Sequence, residues 1–234
     1  MGKWQGSQGS VGTSAQGKEY KREDLQDLAK SDSRLHLISV DVSCDESLQK
    51  ALKEIEGLVD DRGLNLLINN AAICPPYRTI DPPNRAVVLE CLNVNAVGAL
   101  VTAQLFLPLL RKAAAHTPGS TFSASKAAIL NVGSDCASQT LNVTGLCDDT
   151  DFAYKMSKTA MLSFSRSMVA DFKPLGTPVL VTTMHPGWVL TEMGGPNAKI
   201  TIEESAADMM KSIGKLNKTH NGGLFDRNLE IMPF

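Results

Sequence analysis

Short aliphatic segments alternate with amphipathic ones along most of this chain, and this alternation constrains the fold more than any other feature. The aliphatic segments have the length and the apolar content of buried strands, whereas the intervening segments repeat apolar residues at helical spacing. Strands are predicted over 34–42, 63–69, 127–132, 178–184 and 223–225, and helices over 45–58 (with Asp45 as N-cap), 85–110, 152–172 and 202–216. The alternation predicts one α/β domain with a doubly wound parallel sheet, right-handed crossovers and helices on both faces.

The composition argues against some classes of binding partner. The chain has 234 residues, 43% of them hydrophobic, and a formal net charge of −2, so it carries no basic footprint for nucleic acid. We see no apolar run near the roughly 20 residues of a membrane span, and therefore expect no membrane partner. The cysteines are odd in number and scattered, which argues against a disulfide framework and favours a reducing, cytoplasmic location; they are Cys44, Cys74, Cys91, Cys136 and Cys147.

The first 17 residues differ from the remainder of the chain. They are mostly glycine, serine and glutamine, with almost no aliphatic side chains. Such a segment cannot bury enough apolar surface to offset the entropy lost on ordering. We therefore divide the chain into a flexible segment over 1–17 and a folded domain over 18–234.

Small and polar residues follow four of the predicted strands. They are Asp41, the Asn-Asn-Ala-Ala run at 69–72, Gly133 with Ser134, and the His-Pro-Gly run at 185–187. Ligands of open parallel sheets bind beyond the carboxyl ends of the strands, so these residues are candidate site residues. Turn formation alone also favours Asn, Gly and Pro at such places. His185 itself is predicted to be a hydrogen-bonded structural residue.

Tyr154 and Lys158 are four residues apart on a predicted helix, so their side chains share one face. A tyrosine phenol has an ordinary pKa of about 10 and is a poor acid or base near neutrality. A neighbouring ammonium favours the phenolate and would lower that pKa. The alternative interpretation is an exposed Tyr-Lys pair on a helix surface.

Taken together, the motifs resemble the short-chain dehydrogenase/reductase family, and within it the sniffer and C-factor-like carbonyl reductases. The matching motifs are DV at 41–42, NNAA at 69–72, NVNAVG at 93–98, NVGS at 131–134, YKMSK at 154–158, HPGWVLTEMGG at 185–195 and NGGLFD at 221–226. The resemblance implies a Rossmann-like fold and hydride transfer between a nicotinamide cofactor and a carbonyl or alcohol.

The resemblance also implies roles for single residues. Tyr154 would protonate the carbonyl oxygen, and Lys158 would lower the pKa of Tyr154 and bind the nicotinamide ribose. Ser134 would orient the carbonyl, with Ser138 as the alternative because the distance in sequence to Tyr154 is long. Asn95 would bend its helix and hold a water that links Lys158 to solvent.

For the cofactor, the resemblance implies NADP(H), with NAD as the alternative. Besides Tyr154 and Lys158, the residues in contact would be Asp41, Val42, Asn70, Ala71, Val189 and Thr191. The substrate would be a small carbonyl compound. The predicted helices over 85–110 and 152–172 would form a homodimer or homotetramer.

One expected motif is missing. Members of the family begin with a strand, a glycine-rich TGxxxGxG turn and a helix whose N-terminus receives the pyrophosphate. Here the glycines over 6–12 have no apolar strand before them and no amphipathic helix after them. The sheet is therefore predicted to lack its usual first strand and helix. Two functions follow: a carbonyl reductase, or a cofactor-deficient reductase-like protein that acts through subunit interaction.

Overall fold

Four parallel strands form the central sheet of the computed structural model, which describes residues 22–116, 121–142, 151–176 and 178–234. In chain order they are β1 (Leu66–Asn69), β2 (Ala128–Val132), β3 (Leu180–His185) and β4 (Leu224–Asp226), and this is also their order in the sheet. In the register, Ala128 lies between Leu66 and Leu180. Four of the five predicted strands are thus confirmed, and their carboxyl ends share one edge of the sheet.

The helices agree with the apolar stripes of the sequence. They are α1 (Arg22–Ser31), α2 (Asp45–Val59), α3 (Arg85–Leu92), α4 (Ala99–His116), the short α5 (Gln139–Asn142), α6 (Phe152–Phe172) and α7 (Ile202–Ile213). The sequence did not predict α1, and Asp45 is the first residue of α2 rather than its N-cap, which is Cys44. The flexible segment predicted over 1–17 lies outside the described residues.

Both faces of the sheet are covered, because successive residues of a strand point to opposite sides. On one face, Ile129 and Val181 pack with Leu110 of α4 and Met168 of α6. On the other, Leu130, Leu180 and Met184 pack with Ile213 of α7 and with Leu216. The predicted α/β architecture with two helical layers is confirmed.

The crossovers are not all of one hand. The sheet adds β3 beside β2 and then β4 beside β3, in the same direction. Helix α6 connects the first pair on one face, whereas α7 connects the second pair on the other. Two such connections have opposite hands, so at least one of them is left-handed and the prediction of uniformly right-handed crossovers is wrong.

The predicted helix over 85–110 is continuous but not regular. A π-helical turn over Asn93–Gly98 joins α3 to α4, and the whole stretch runs from Arg85 to His116. By length and composition alone this stretch could cross a bilayer, which the sequence analysis overlooked. Buried residues of α4 such as Ala103 and Leu110 pack against the sheet, as they do in a core helix.

The segment over 34–42 is not a strand. It runs without a ladder partner, and the side chains of Leu37 and Val40 remain 48% and 38% exposed. A strand requires a hydrogen-bonding neighbour, and among the described residues the outer edge of β1 pairs with none.

A groove of about 400 Å³ lies between this segment and the outer edge of β1. Its lining is almost entirely apolar and includes Ile38, Val40, Val42, Leu48, Ile55, Leu66, Ile68, Ala71 and Phe106. The prediction that the usual first strand is missing concerns residues before Arg22, which lie outside the described residues.

Candidate active site

Ser134, Tyr154 and Lys158 come together at the carboxyl edge of the sheet. Ser134 follows β2 after Gly133, and the two other residues lie on the first turns of α6. The Ser134 hydroxyl interacts with the Tyr154 phenol and favours its ionised form. The Lys158 Nζ atom lies 5.5 Å from the centre of the Tyr154 ring. The three polar groups that the sequence suggested therefore share one small site.

Lys158 is hydrogen-bonded to the end of a strand of the sheet. Its side chain is 2% exposed, and Nζ donates a 2.7 Å hydrogen bond to the carbonyl oxygen of Val132, the last residue of β2. Burial lowers the pKa of the Lys158 amine from 10.5 to about 8. The amine is therefore poised to change its charge slightly above neutrality.

The pKa of Tyr154 differs from the prediction. Burial raises the pKa of its phenol above the ordinary value, and the interaction with Ser134, which lowers this pKa, only partly counteracts the effect of burial. Nearby Cys74 is neutral at physiological pH because burial raises its own pKa to about 12, so Asp135 and Asp151 are the charges that disfavour the phenolate. The expected lowering of the Tyr154 pKa is thus not seen in the protein alone.

Asn95 lies in the π-helical turn and is fully buried. Its Oδ1 accepts from the backbone N–H of Ile73 at 2.8 Å, and its Nδ2 donates to the Ile73 carbonyl oxygen at 2.8 Å. Nδ2 also donates to Ser157 Oγ at 2.9 Å, one residue before Lys158. Asn95 therefore ties the loop after β1 to helix α6.

Ser138, the alternative to Ser134, lies in a different environment. Ser138 is completely buried, and its Oγ accepts from the backbone N–H of Leu141 at the start of α5. That contact is a local helix-capping interaction. The interaction with the Tyr154 phenol favours Ser134 over Ser138.

Residues that the sequence analysis missed also line the site. Ser157 contacts Asn95, and Cys74 Sγ lies 3.4 Å from Asp151 Oδ1. Asp135 Oδ1 lies 3.0 Å from Ser134 Oγ. The only signal in the sequence was position, since Asp135 directly follows Ser134 and Ser157 directly precedes Lys158.

Cys136 is disulfide-bonded, which the scattered cysteine spacing did not predict. Cys44, Cys74 and Cys91 are free. In the described ranges no three His, Cys, Asp or Glu side chains are placed to hold a metal ion.

The predicted cofactor residues fall into two groups. Val42, Asn70 and Ala71 line the groove beside β1. Asp41 is exposed nearby, and its carboxylate accepts from the backbone N–H and the hydroxyl of Ser43.

The second group lies in the turn after β3. Val189 bridges to Ile200, and Thr191 Oγ1 accepts from the backbone N–H of Gly194 at 3.0 Å. Ala72, where the family usually has glycine, does not adopt a positive φ, so this departure introduces no backbone strain.

A sequence profile of the short chain dehydrogenase family matches residues 8–200. The chain belongs to this family. The C-signal protein of Myxococcus xanthus is 32% identical over 171 residues, which cover 73% of this chain and 93% of that protein. The structure of the carbonyl reductase Sniffer of D. melanogaster matches with a TM-score of 0.83 and 32% identity, over 91% of this chain and 83% of that one. The NADPH-bound carbonyl reductase from chicken fatty liver matches with a TM-score of 0.83 and 31% identity, over 91% and 78%.

The two ends of a nicotinamide dinucleotide fit this member of the family unequally. At the nicotinamide end, Tyr154, Lys158 and Thr191 offer the hydroxyl and amine groups that a ribose and a carboxamide require. At the diphosphate end, residues 22–116 contain no glycine-rich turn followed by a helix, and the groove is almost entirely apolar. The described residues therefore fit the nicotinamide end of the cofactor, and they supply no cradle for the diphosphate.

Proposed function

We propose that this chain reduces a small carbonyl compound with NADP(H), NAD being the alternative cofactor. The observation that carries the proposal is the convergence of Ser134, Tyr154 and Lys158 at the carboxyl edge of the sheet. Two similar structures are described as carbonyl reductases, one of them with NADPH bound, which supports the same reaction class.

The proposed chemistry places one proton transfer on Tyr154. When bound, the nicotinamide supplies the hydride. Ser134 orients the substrate carbonyl, and the Tyr154 hydroxyl gives its proton to the carbonyl oxygen as negative charge develops there. A phenol with a raised pKa remains protonated at neutral pH, so the acid is in its reactive form before reduction begins.

Lys158 and Asn95 have supporting roles in this proposal. A charged Lys158 stabilises the phenolate that Tyr154 becomes, and its amine binds the nicotinamide ribose. Asn95 fixes the loop at Ile73 and the helix at Ser157, and it would hold the water that returns a proton to Lys158. Asp41, Val42, Asn70 and Ala71 would contact the adenosine half, and Val189 and Thr191 the carboxamide.

Titration of the purified full chain with NADPH, followed by cofactor fluorescence, tests the proposal. We expect saturable binding that Lys158→Met weakens and Lys155→Met, on an adjacent face of the same helix, leaves unchanged. A parallel titration with NADH ranks the two cofactors. Absence of binding at millimolar NADPH would overturn the proposed activity for this chain.

A second function is favoured by the absence of a diphosphate cradle from the described residues. In that case the chain is a reductase-like protein without cofactor that acts by pairing with reductase subunits. The long helices would form the contact, as in the predicted homodimer or homotetramer, and Leu89 and Val97 there are 56% and 47% exposed. Sedimentation of the chain alone and mixed with an intact relative tests this function, and a monomer in both experiments contradicts it.

A further inference from the structure

The hydroxyl proton of Ser134 already has an acceptor in the protein. Ser134 Oγ donates to Asp135 Oδ1 at 3.0 Å, and the backbone N–H of Cys136 reaches both oxygens, at 3.1 and 2.9 Å. A serine hydroxyl has one proton to give and two lone pairs with which to accept. While Asp135 takes that proton, Ser134 has none to donate to Tyr154 or to a ligand, although its interaction with Tyr154 favours the phenolate.

Asp135 lies near both Ser134 and the mostly buried side chain of His185. Its Oδ1 is 4.0 Å from His185 Nδ1, and the two side chains are 31% and 16% exposed. His185 Nδ1 is buried and, within the described part of the chain, has no hydrogen-bond partner, contrary to the satisfied histidine that we predicted. Asp226 and Arg227 are the other charged residues that act on His185.

We propose that Asp135 is a positioning residue that competes with Tyr154 for the proton of Ser134. The inference deepens the proposed reductase function and rests on it. A carbonyl substrate must then compete with Asp135 for the Ser134 proton. A group on the substrate that donates a hydrogen bond to Asp135 would release that proton, so the site favours carbonyls with a neighbouring hydroxyl or amino group.

A purely structural role for Asp135 makes a different prediction. Ser134 and Asp135 begin the 3-10 turn Asp135–Ala137, and both oxygens accept from its backbone. Asp135→Asn keeps an oxygen for these bonds and removes the charge. If capping were its only role, this variant would leave the titration of Tyr154 unchanged.

The test places 3-fluorotyrosine at position 154 and follows its ionisation by fluorine NMR, because the more acidic fluorophenol titrates where the fold survives. We expect Asp135→Asn to lower the phenol pKa by about one unit. Asp226→Asn is the matched control, since Asp226 acts on His185 and its backbone hydrogen bonds can be kept by asparagine. It should leave the titration unchanged.

A second pair of variants separates the Ser134 route from simple charge repulsion. In a Ser134→Ala background, Asp135→Asn should lower the phenol pKa by less than half as much, because no serine proton is released. An equal decrease in both backgrounds, or no decrease in either, would overturn the proposal.

The NMR titration needs neither cofactor nor turnover, so it decides the role of Asp135 even if NADPH fails to bind. Where reduction is measurable, Asp135→Asn should lower KM severalfold for a simple ketone and leave kcat nearly unchanged. It should also erase the preference for a hydroxy ketone over that simple ketone. A retained preference contradicts the substrate class, whereas loss of all NADPH binding contradicts only the reductase function.

Discussion

The ammonium group of Lys158 donates a 2.7 Å hydrogen bond to the carbonyl oxygen of Val132, and this bond fastens helix α6 to the end of strand β2. It also keeps a titratable amine out of solvent, which lowers its pKa to about 8. Because the unfolded chain holds this proton to a higher pH, the bond couples the stability of the fold to pH.

The first prediction concerns this coupling. Below pH 8 the folded and unfolded chains both hold the Lys158 proton, and the cost of burying the charge is constant. Between pH 8 and 10.5 the unfolded chain binds more protons than the folded one, so stability from this group rises with pH. Relative to Lys158→Met, the free energy of unfolding of the wild type should increase by about 2–3 kcal/mol over this range.

Urea unfolding of both proteins at several pH values measures this difference, and the subtraction removes the titration of groups that the two chains share. Lys155→Met serves as the control and should show no such slope. A flat difference for Lys158→Met between pH 8 and 10 would mean that the amine keeps its ordinary pKa.

The second prediction concerns Tyr154. Replacement by phenylalanine keeps the ring and removes the proton donor, so carbonyl reduction should slow by about 10²–10⁴-fold while NADPH affinity changes little. Tyr77→Phe is the matched control, because the Tyr77 hydroxyl bonds only to the backbone near Asn84. Steady-state NADPH oxidation measures the effect, and a Tyr154→Phe enzyme with normal turnover would remove the tyrosine from the mechanism.

The third prediction concerns Asn95. Replacement by alanine leaves the Ile73 N–H without its Asn95 acceptor and the Ile73 carbonyl oxygen with only the weak Cys91 thiol as donor, which should lower the free energy of unfolding by about 2–4 kcal/mol. Asn93→Ala, at an exposed position of the same π-helical turn, should change it by less than about 0.5 kcal/mol. Equal effects of the two substitutions in chemical denaturation would show that the buried hydrogen bonds are unimportant.

The fourth prediction concerns a close approach between backbones. A Cβ atom on Gly98 would lie 2.6 Å from the carbonyl oxygen of Val42. Gly98→Ala should therefore push the turn after residue 41 away from the π-helical turn and destabilise the fold by about 1–3 kcal/mol.

Gly57 in α2 is the matched control, since nothing lies within 4 Å of its added Cβ. Gly57→Ala should stabilise the protein by up to about 1 kcal/mol through helix propensity. Thermal unfolding of both variants checks the contrast, and a neutral Gly98→Ala would disprove the close packing at Val42.

The elements that could be predicted from the sequence are those whose own residues form a continuous apolar run or a regular apolar stripe. Strand β2 is a continuous aliphatic run, and α6 has the bounds expected from its apolar stripe. The segment over 34–42 has the same composition but forms no strand, because pairing depends on a neighbour that its own residues do not encode. Likewise, nothing local in the sequence indicates that Asn95 binds Ile73 and Ser157, which are 22 and 62 residues away.

The candidate active site also has features that could be predicted from the sequence and features that could not. The Tyr154 and Lys158 pair was predictable because both residues lie on one helix, four residues apart. The pKa of Tyr154 was not, since it depends on burial and on carboxylates from other segments such as Asp135. An acidic residue after a serine resembles an ordinary turn residue in a sequence.

The change of hand along the sheet has a consequence for how the C-terminal end is anchored. The natural twist of a strand favours right-handed connections, so contacts between side chains matter more where one connection departs from that hand. Arg227, just after β4, bonds to Asp208 of α7 at 2.8 Å and to Glu204 at 3.4 Å, and its carbonyl accepts from Ser212 Oγ at 2.6 Å. Arg227 therefore joins the end of the last strand to helix α7 through both its side chain and its backbone, so a change at this one residue would loosen strand and helix together.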